Sequence, residues 1–253
     1  MKGDTKMASV QKFRATAVLH ELRHNHREIK QSSNPDINSE QSVYNDDLTP
    51  NHNGLSPYEY YKKRLHELYI YDPRRKDINT AFGWIVTLPQ EVTSLEAERT
   101  FFRAVSDFLT HRYGLENTVS ITIHRDESGQ PHLHYIGIPA VANNMQNVNH
   151  PQSEKLSCKE VINRNELRSF HRELQTYLDN CHVDAKVHTG ITAGNNRTVQ
   201  QLKRETTANL RAEVERLKEI EHKYNELLRQ QSLQKQHNRW ERTSNQEIER
   251  GRW

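Results

Sequence analysis

The chain has 253 residues, a formal net charge of +3 and 33% hydrophobic residues, with a mean hydropathy of −1.00. That length holds one ordinary domain plus an appendage, and the polar balance excludes a single core shared by every residue. Cys158 and Cys181 fit no metal, redox or disulfide framework, no run approaches the roughly twenty apolar residues of a membrane span, and no signal-peptide stretch lies before residue 30, so the expected setting is cytoplasmic.

Residues 8–18 (ASVQKFRATAV) begin as a strand and pass into a helix carrying Leu19, Leu22 and, at its far end, His24 and Arg27. From Ile29 to Pro57 the chain is dense in Asn, Ser, Asp and Pro, the composition of a long functional loop. Tyr58 to Tyr71 has helical character and stops at Asp72-Pro73, because the residue before proline is pushed out of helical dihedrals. Residues 81–89 (AFGWIVTLP) read as a buried strand. Thr93 or Ser94 caps the next helix, whose apolar stripe is Leu95, Phe102, Val105 and Leu109 and whose stop is Gly114.

Thr118 to His124 (TVSITIH) and His132 to Pro139 (HLHYIGIP) alternate in the β manner around a turn containing Gly129, which predicts a hairpin. A polar loop over 141–155 follows, then an amphipathic helix over Asn163 to Asn180 with Leu167, Phe170, Leu174 and Leu178, and a last strand over 183–191. The globular domain is expected to span 1–195. Beyond it, over 196–253, Leu210, Val214, Leu217, Tyr224 and Leu228 follow alternating three- and four-residue spacing with Glu221 breaking the apolar seam, the pattern of a helical arm able to pair as a coiled coil, ahead of a tail from Gln230 too polar to order itself.

His132 and His134 stand two apart in one strand, so both imidazoles project from the same face. His124 ends the partner strand and can lie across from them, completing three nitrogen ligands around one point. Such a set suits several divalent ions, and Asp126 or Glu127 in the turn can orient a ligand or the attacking group, or Glu127 can ligate directly.

Taken together the motifs resemble the MobV-type relaxases, also called the Mob/Pre plasmid mobilisation or recombination enzymes. His24-Asn25-His26-Arg27 resembles their H-N-x-R, and Asn34-Pro35-Asp36-Ile37-Asn38 their N-x-D-I-N loop. His124-Arg125-Asp126-Glu127 with Pro131-His132-Leu133-His134 resembles their H-x-D-E followed by P-H-x-H, and Lys155-Leu156-Ser157 with Arg164-Asn165-Glu166-Leu167 a further stretch. The similarity runs in order over about residues 8–190.

The resemblance implies an α/β (α+β) fold, an antiparallel sheet flanked by helices in the histidine-hydrophobe-histidine endonuclease architecture of relaxases and Rep proteins, plus the C-terminal arm. It implies nicking of one strand at a plasmid origin of transfer, with a 5′-phosphate adduct on His24 and with Arg27 and Glu127 as further catalytic residues. His124, His132 and His134 would hold a divalent ion, Mn²⁺ first and Mg²⁺ or another as alternatives. Asn25, Lys30, Asn34, Asp36, Asn38, Tyr44, Lys155 and Arg164 are the expected DNA-binding residues. The expected partners are single-stranded or supercoiled plasmid DNA, a second copy through the C-terminal helix, and a coupling protein. The alternatives are a rolling-circle replication initiator that nicks through a tyrosine (Tyr44, Tyr58, Tyr60 or Tyr61) and a non-enzymatic DNA-binding or coiled-coil adaptor.

Overall fold

The computed structural model describes residues 7–29, 36–144, 147, 148 and 150–187, together with 211, 214–219, 223, 224 and 226. The chain divides into two units, Met1–Ile191 and Thr192–Trp253. In the second unit the described residues are helical; Leu210, Leu228 and the tail from Gln230 lie outside the described residues.

Among the described residues of the first unit a five-stranded antiparallel sheet has the order β1-β3-β5-β4-β2. Its strands are β1 (Ala8–Arg14), β2 (Asp46–Asp47), β3 (Asn79–Thr87), β4 (Thr118–His124) and β5 (His132–Gly137). Side chains alternate across it, so each face carries its own core. On one face α1 (Ala15–Asn25) and α2 (Pro57–Glu67) bury Val18, Leu22, Tyr61 and Leu68 against Ala81, Val119, Ile136 and Ile138. On the other, α3 (Leu95–Tyr113) and α5 (Arg164–Asn180) bury Phe101, Phe102, Val105, Phe170 and Leu174 against Trp84, Ile121, Leu133 and Tyr135. Phe170 stacks on Trp84 with ring centroids 3.5 Å apart, and the indole N–H donates to Tyr113 Oη at 2.7 Å, which in turn donates to Glu166 of α5.

The helix signals operate as their chemistry dictates. Ser94 Oγ accepts from Ala97 N, and Gly114 closes α3 at φ +92°, a conformation that favours glycine. Ser56 and Glu59 form a reciprocal capping box at the start of α2, and Asn163 caps α5.

Four local expectations need correction. α2 ends at Glu67 instead of Tyr71, because the Tyr69 backbone is taken into pairing with Glu154 and Leu156. The polar stretch over 141–155 contains part of a small hairpin, β6 (Ala140–Ala142) with β7 (Glu154–Leu156), which leads into the short α4 (Cys158–Val161). Leu95 and Leu167, assigned to apolar stripes, are exposed. Over 183–187 Val183, Ala185 and Val187 are buried alternately, yet no strand forms there. Val183 N donates to the Leu178 carbonyl, and Lys186 N and Val187 N donate to the Glu91 and Gln175 side chains. The rest of that expected strand, 188–191, lies outside the described residues.

Candidate metal centre

His124 closes β4 and His132 opens β5, and the two are directly paired across the ladder, with His134 opposite Thr122. Leu133 and Tyr135 point into the α3/α5 core, so the imidazoles of His132 and His134 emerge on the opposite face, where α1 ends. Ring centroids lie 4.4 Å apart for His124 and His134, 4.9 Å for His132 and His134, and 5.6 Å for His124 and His132. One nitrogen from each ring falls within 4.8 Å of the others.

The hydrogen bonds aim the lone pairs. His124 Nε2 donates to the Asn25 carbonyl at 2.8 Å, leaving Nδ1 as the free acceptor. His132 Nδ1 donates to the Gln130 carbonyl at 3.2 Å, leaving Nε2. Two buried ring nitrogens, His124 Nδ1 and His134 Nε2, have no hydrogen-bond partner among the described residues. Buried acceptors without partners are costly, and a divalent cation is the partner that this donor set fits. Burial also pushes the His132 and His134 pKa values down, His134 with help from the surrounding rings, which favours the neutral form that a metal ion would need. His124, Asp126 and Glu127 form a second group within the same reach. Asp126, however, is already taken by Arg27 Nε at 2.8 Å, Arg27 Nη2 at 2.6 Å and Ser42 Oγ at 2.5 Å, so the three histidines are the better metal set.

His24, in the last turn of α1, faces this cluster. Its ring lies 6.0 Å from His124 and 6.3 Å from His134 by centroid. Glu127 sits between them, with Oε1 3.6 Å from both His24 Nε2 and His124 Nδ1 and Oε2 3.7 Å from His132 Nε2. Burial opposes the Glu127 charge, but His124, His24, His132 and Arg27 together outweigh it and hold the carboxyl well below the usual carboxylate range. Arg27, at φ +55° just past the helix end, reaches Glu127 at 2.9 Å as well as Asp126.

The remaining expected residues divide by position. Asn38 N donates to the Asp126 carbonyl at 2.7 Å, which brings the segment from Asp36 onward against the site. Tyr44 closes a 3-10 turn over Ser42–Tyr44; its carbonyl accepts from Arg125 while its ring is 67% exposed. Asn25 is buried, and its carbonyl orients His124. Lys155 pairs with Glu160 at 3.0 Å in β7, and Arg164 opens α5 on the α3/α5 face. β6 and β7 follow the far end of β5 from His132. Lys30 and Asn34 lie outside the described residues.

Sequence reasoning missed Ser42, Asn45 and Arg125. Arg125 ties Glu98 at 2.5 Å and Asp46 at 2.8 Å, while its backbone N–H donates to Asn45 Oδ1 at 2.7 Å. These residues strap the 36–48 segment over the hairpin turn. Their only signal was position, an arginine inside the H-x-D-E stretch and polar residues in the loop that contributes β2.

Comparison with known proteins yields one family and one fold. A family model described as plasmid recombination enzyme matches residues 2–205. A plasmid recombination enzyme of Streptococcus agalactiae is 27% identical over 202 residues, covering 78% of this chain and 38% of that protein. A type 1 plasmid recombination enzyme of Staphylococcus aureus is 27% identical over 218 residues, covering 81% and 50% respectively. The chain thus spans half or less of the length of these relatives. Among solved structures, a MobM relaxase domain bound to plasmid pMV158 oriT DNA, in a Mn-bound crystal form, is similar with a TM-score of 0.64 and 26% identity, covering 78% of this chain and 97% of that one.

Proposed function

This chain belongs to the Mob/Pre plasmid recombination enzyme family, and on that premise we propose that it nicks one DNA strand at a plasmid transfer origin and holds the cut 5′ end covalently on His24. The observation that carries the reading is the convergence of one ring nitrogen from each of His124, His132 and His134 beside His24 and Glu127. The Mn-bound, oriT-bound neighbour supports a divalent ion, Mn²⁺ first, and single-stranded or supercoiled plasmid DNA as the partner. No described helix is long and apolar enough to cross a membrane, and a plasmid substrate puts the reaction in the cytoplasm.

His124, His132 and His134 would hold a divalent ion, which would supply Lewis-acid neutralisation of charge on the phosphate oxygens. A His24 ring nitrogen attacks phosphorus in line, the bond from phosphorus to the 3′ oxygen breaks, that oxygen takes a proton from water to become a 3′ hydroxyl, and the other ring nitrogen of His24 gives up its proton to solvent. The product is a phosphoramidate, which keeps the bond energy and allows the strand to be rejoined. The Glu127 carboxylate, 3.6 Å from His24 Nε2, steadies the His24 ring electrostatically, and Arg27 holds Glu127 and Asp126 in place. Asp36, Asn38 and Tyr44 flank the strand entering the site.

The tyrosine alternative loses three of its four residues to structural work. Tyr61 is buried and bonds Thr80, Tyr58 stacks on Tyr61, and Tyr60 donates to the Glu116 carbonyl beyond the end of β4 opposite His124. The test is incubation with Mn²⁺ and a supercoiled plasmid carrying the chain's own transfer origin, followed by acid treatment of the protein–DNA adduct. An acid-labile adduct that disappears in His24→Ala is expected; an acid-stable adduct assigns the attack to an oxygen nucleophile and overturns the His24 role.

A further inference from the structure

The residues that end α1 each reach a different part of the site, and His26 has no part in the chemistry above. Its Nε2 lies 2.9 Å from Ser120 Oγ and its Nδ1 3.2 Å from Asp47 Oδ2. A carboxylate only accepts, so Nδ1 carries the hydrogen, and in the neutral ring the Ser120 hydroxyl donates to Nε2. Aspartate, histidine and serine in that line have the order of a hydrolase triad. Ser120 is wholly buried in β4, however, and no substrate can reach its oxygen.

The line joins three elements instead. Ser120 stands in β4 four residues before His124, Asp47 lies in the edge strand β2, and His26 follows His24 by two residues at the C-cap of α1. Burial opposes the Asp47 charge, but His26 and Thr49 outweigh it and lower its pKa to about 2, so the carboxylate is ionised at any working pH. Arg27 pins the helix end to the hairpin turn and the Asn25 carbonyl pins it to His124 at the end of β4, both close to the site, so α1 can still tilt about that end. A second attachment to β4 removes that freedom, and near-attack geometry is sensitive to displacements of about 1 Å, which can cost on the order of a hundredfold in rate.

Building on the His24 reading, we infer that His26 is a positioning residue: through Ser120 and Asp47 it sets the angle at which α1 presents His24 to the three histidines and ties β2 to the same helix end. The test uses the full chain with His26→Ala, His26→Gln, Ser120→Ala and Asp47→Asn. Single-turnover nicking is measured with Mn²⁺ and a saturating oligonucleotide spanning the nick mapped on its own plasmid. Alongside it run oligonucleotide Kd by anisotropy, thermal melting, and histidine-selective ¹⁵N spectra of the DNA-free protein. The expected result for His26→Ala is a ten- to hundredfold lower rate at saturation, Kd within threefold, melting within a few degrees, and displaced His24 ring signals. Partial recovery is expected in His26→Gln, which keeps a donor for Asp47. A rate loss that vanishes at saturating DNA or simply follows the melting temperature overturns the inference, as do unmoved His24 signals. If the unmutated chain nicks no origin, the transfer-origin reading fails by itself and the ring spectra alone decide whether His26 positions His24.

Discussion

The carbonyl of Asn25 accepts the Nε2 hydrogen of His124 at 2.8 Å, so the helix that delivers His24 also selects the tautomer of a candidate metal ligand. The backbone of α1 and the end of β4 are thereby one unit, and an ion on His124 Nδ1 stabilises both. A ligand at a hundred times its Kd that binds only the folded state adds about 2.7 kcal/mol. Mn²⁺ is therefore expected to raise the melting temperature of the intact chain, and His134→Ala, which removes one converging nitrogen, to abolish most of that rise. Differential scanning fluorimetry with and without Mn²⁺ reads this directly, and an equal rise in the variant would put the ion somewhere else.

Arg27 and Asp126 invite a stability prediction independent of activity. The Asp126 side chain has no exposed surface, and although burial opposes its charge, Arg27, Ser42 and Asn45 lower its pKa to about 2. Arg27→Ala leaves that carboxylate buried without its cation, a change that costs about 3–5 kcal/mol. Arg27→Lys keeps the charge but loses the two-pronged fork, so an intermediate loss is expected. Urea unfolding of the metal-free proteins decides the matter; an alanine variant as stable as its parent would mean that the pair contributes nothing to the fold.

Tyr44 is the one tyrosine of the four that the fold leaves exposed, and it is held through its carbonyl and not its hydroxyl. Tyr44→Phe is accordingly expected to form the covalent adduct at a rate within about threefold of the parent, an effect of less than 1 kcal/mol on the barrier. Denaturing gels of nicking time courses give the comparison, and complete loss of adduct in Tyr44→Phe would transfer the nucleophile to that residue.

The legibility of this site followed the range of its interactions. His124, His132 and His134 could be placed together from sequence because strand alternation and a short turn fix both face and register, and Gly114 announced the end of α3 through its positive φ. The burial of Asn25 was not legible because an asparagine in a polar motif suggests a surface, while burial and the use of its backbone carbonyl depend on β4 arriving from 99 residues away. Asp46 and Asp47 were equally silent. Two acidic residues carry no strand propensity, and their pairing with Ile123 and Thr122 comes from Arg125, Asn45 and His26 holding the loop against the edge. The Tyr69 backbone was misread as helix for the same reason, since its partner strand β7 lies far along the chain.

His52 supplies a pH prediction away from the metal centre. Its buried ring stacks on Tyr60 with centroids 3.6 Å apart and planes 7° from parallel, and Nε2 donates to the Val119 carbonyl at 3.0 Å. Burial favours the uncharged ring and draws its pKa below the ordinary 6.5, more strongly than the bond to Val119 restores it. Above pH 6.5 the ring is neutral in both folded and unfolded chains, and its contribution to stability is complete. As the pH falls below 6.5 the unfolded chain takes up the proton first, and that contribution declines until the folded ring also protonates. His52→Gln removes the titration, so the stability gap between parent and variant is expected to be widest near pH 7.5 and to narrow by pH 5.5, with the other titrating groups cancelling in the difference. Urea unfolding of both proteins at those two pH values measures the gap, and a gap that stays constant would show that the ring carries its proton as readily folded as unfolded.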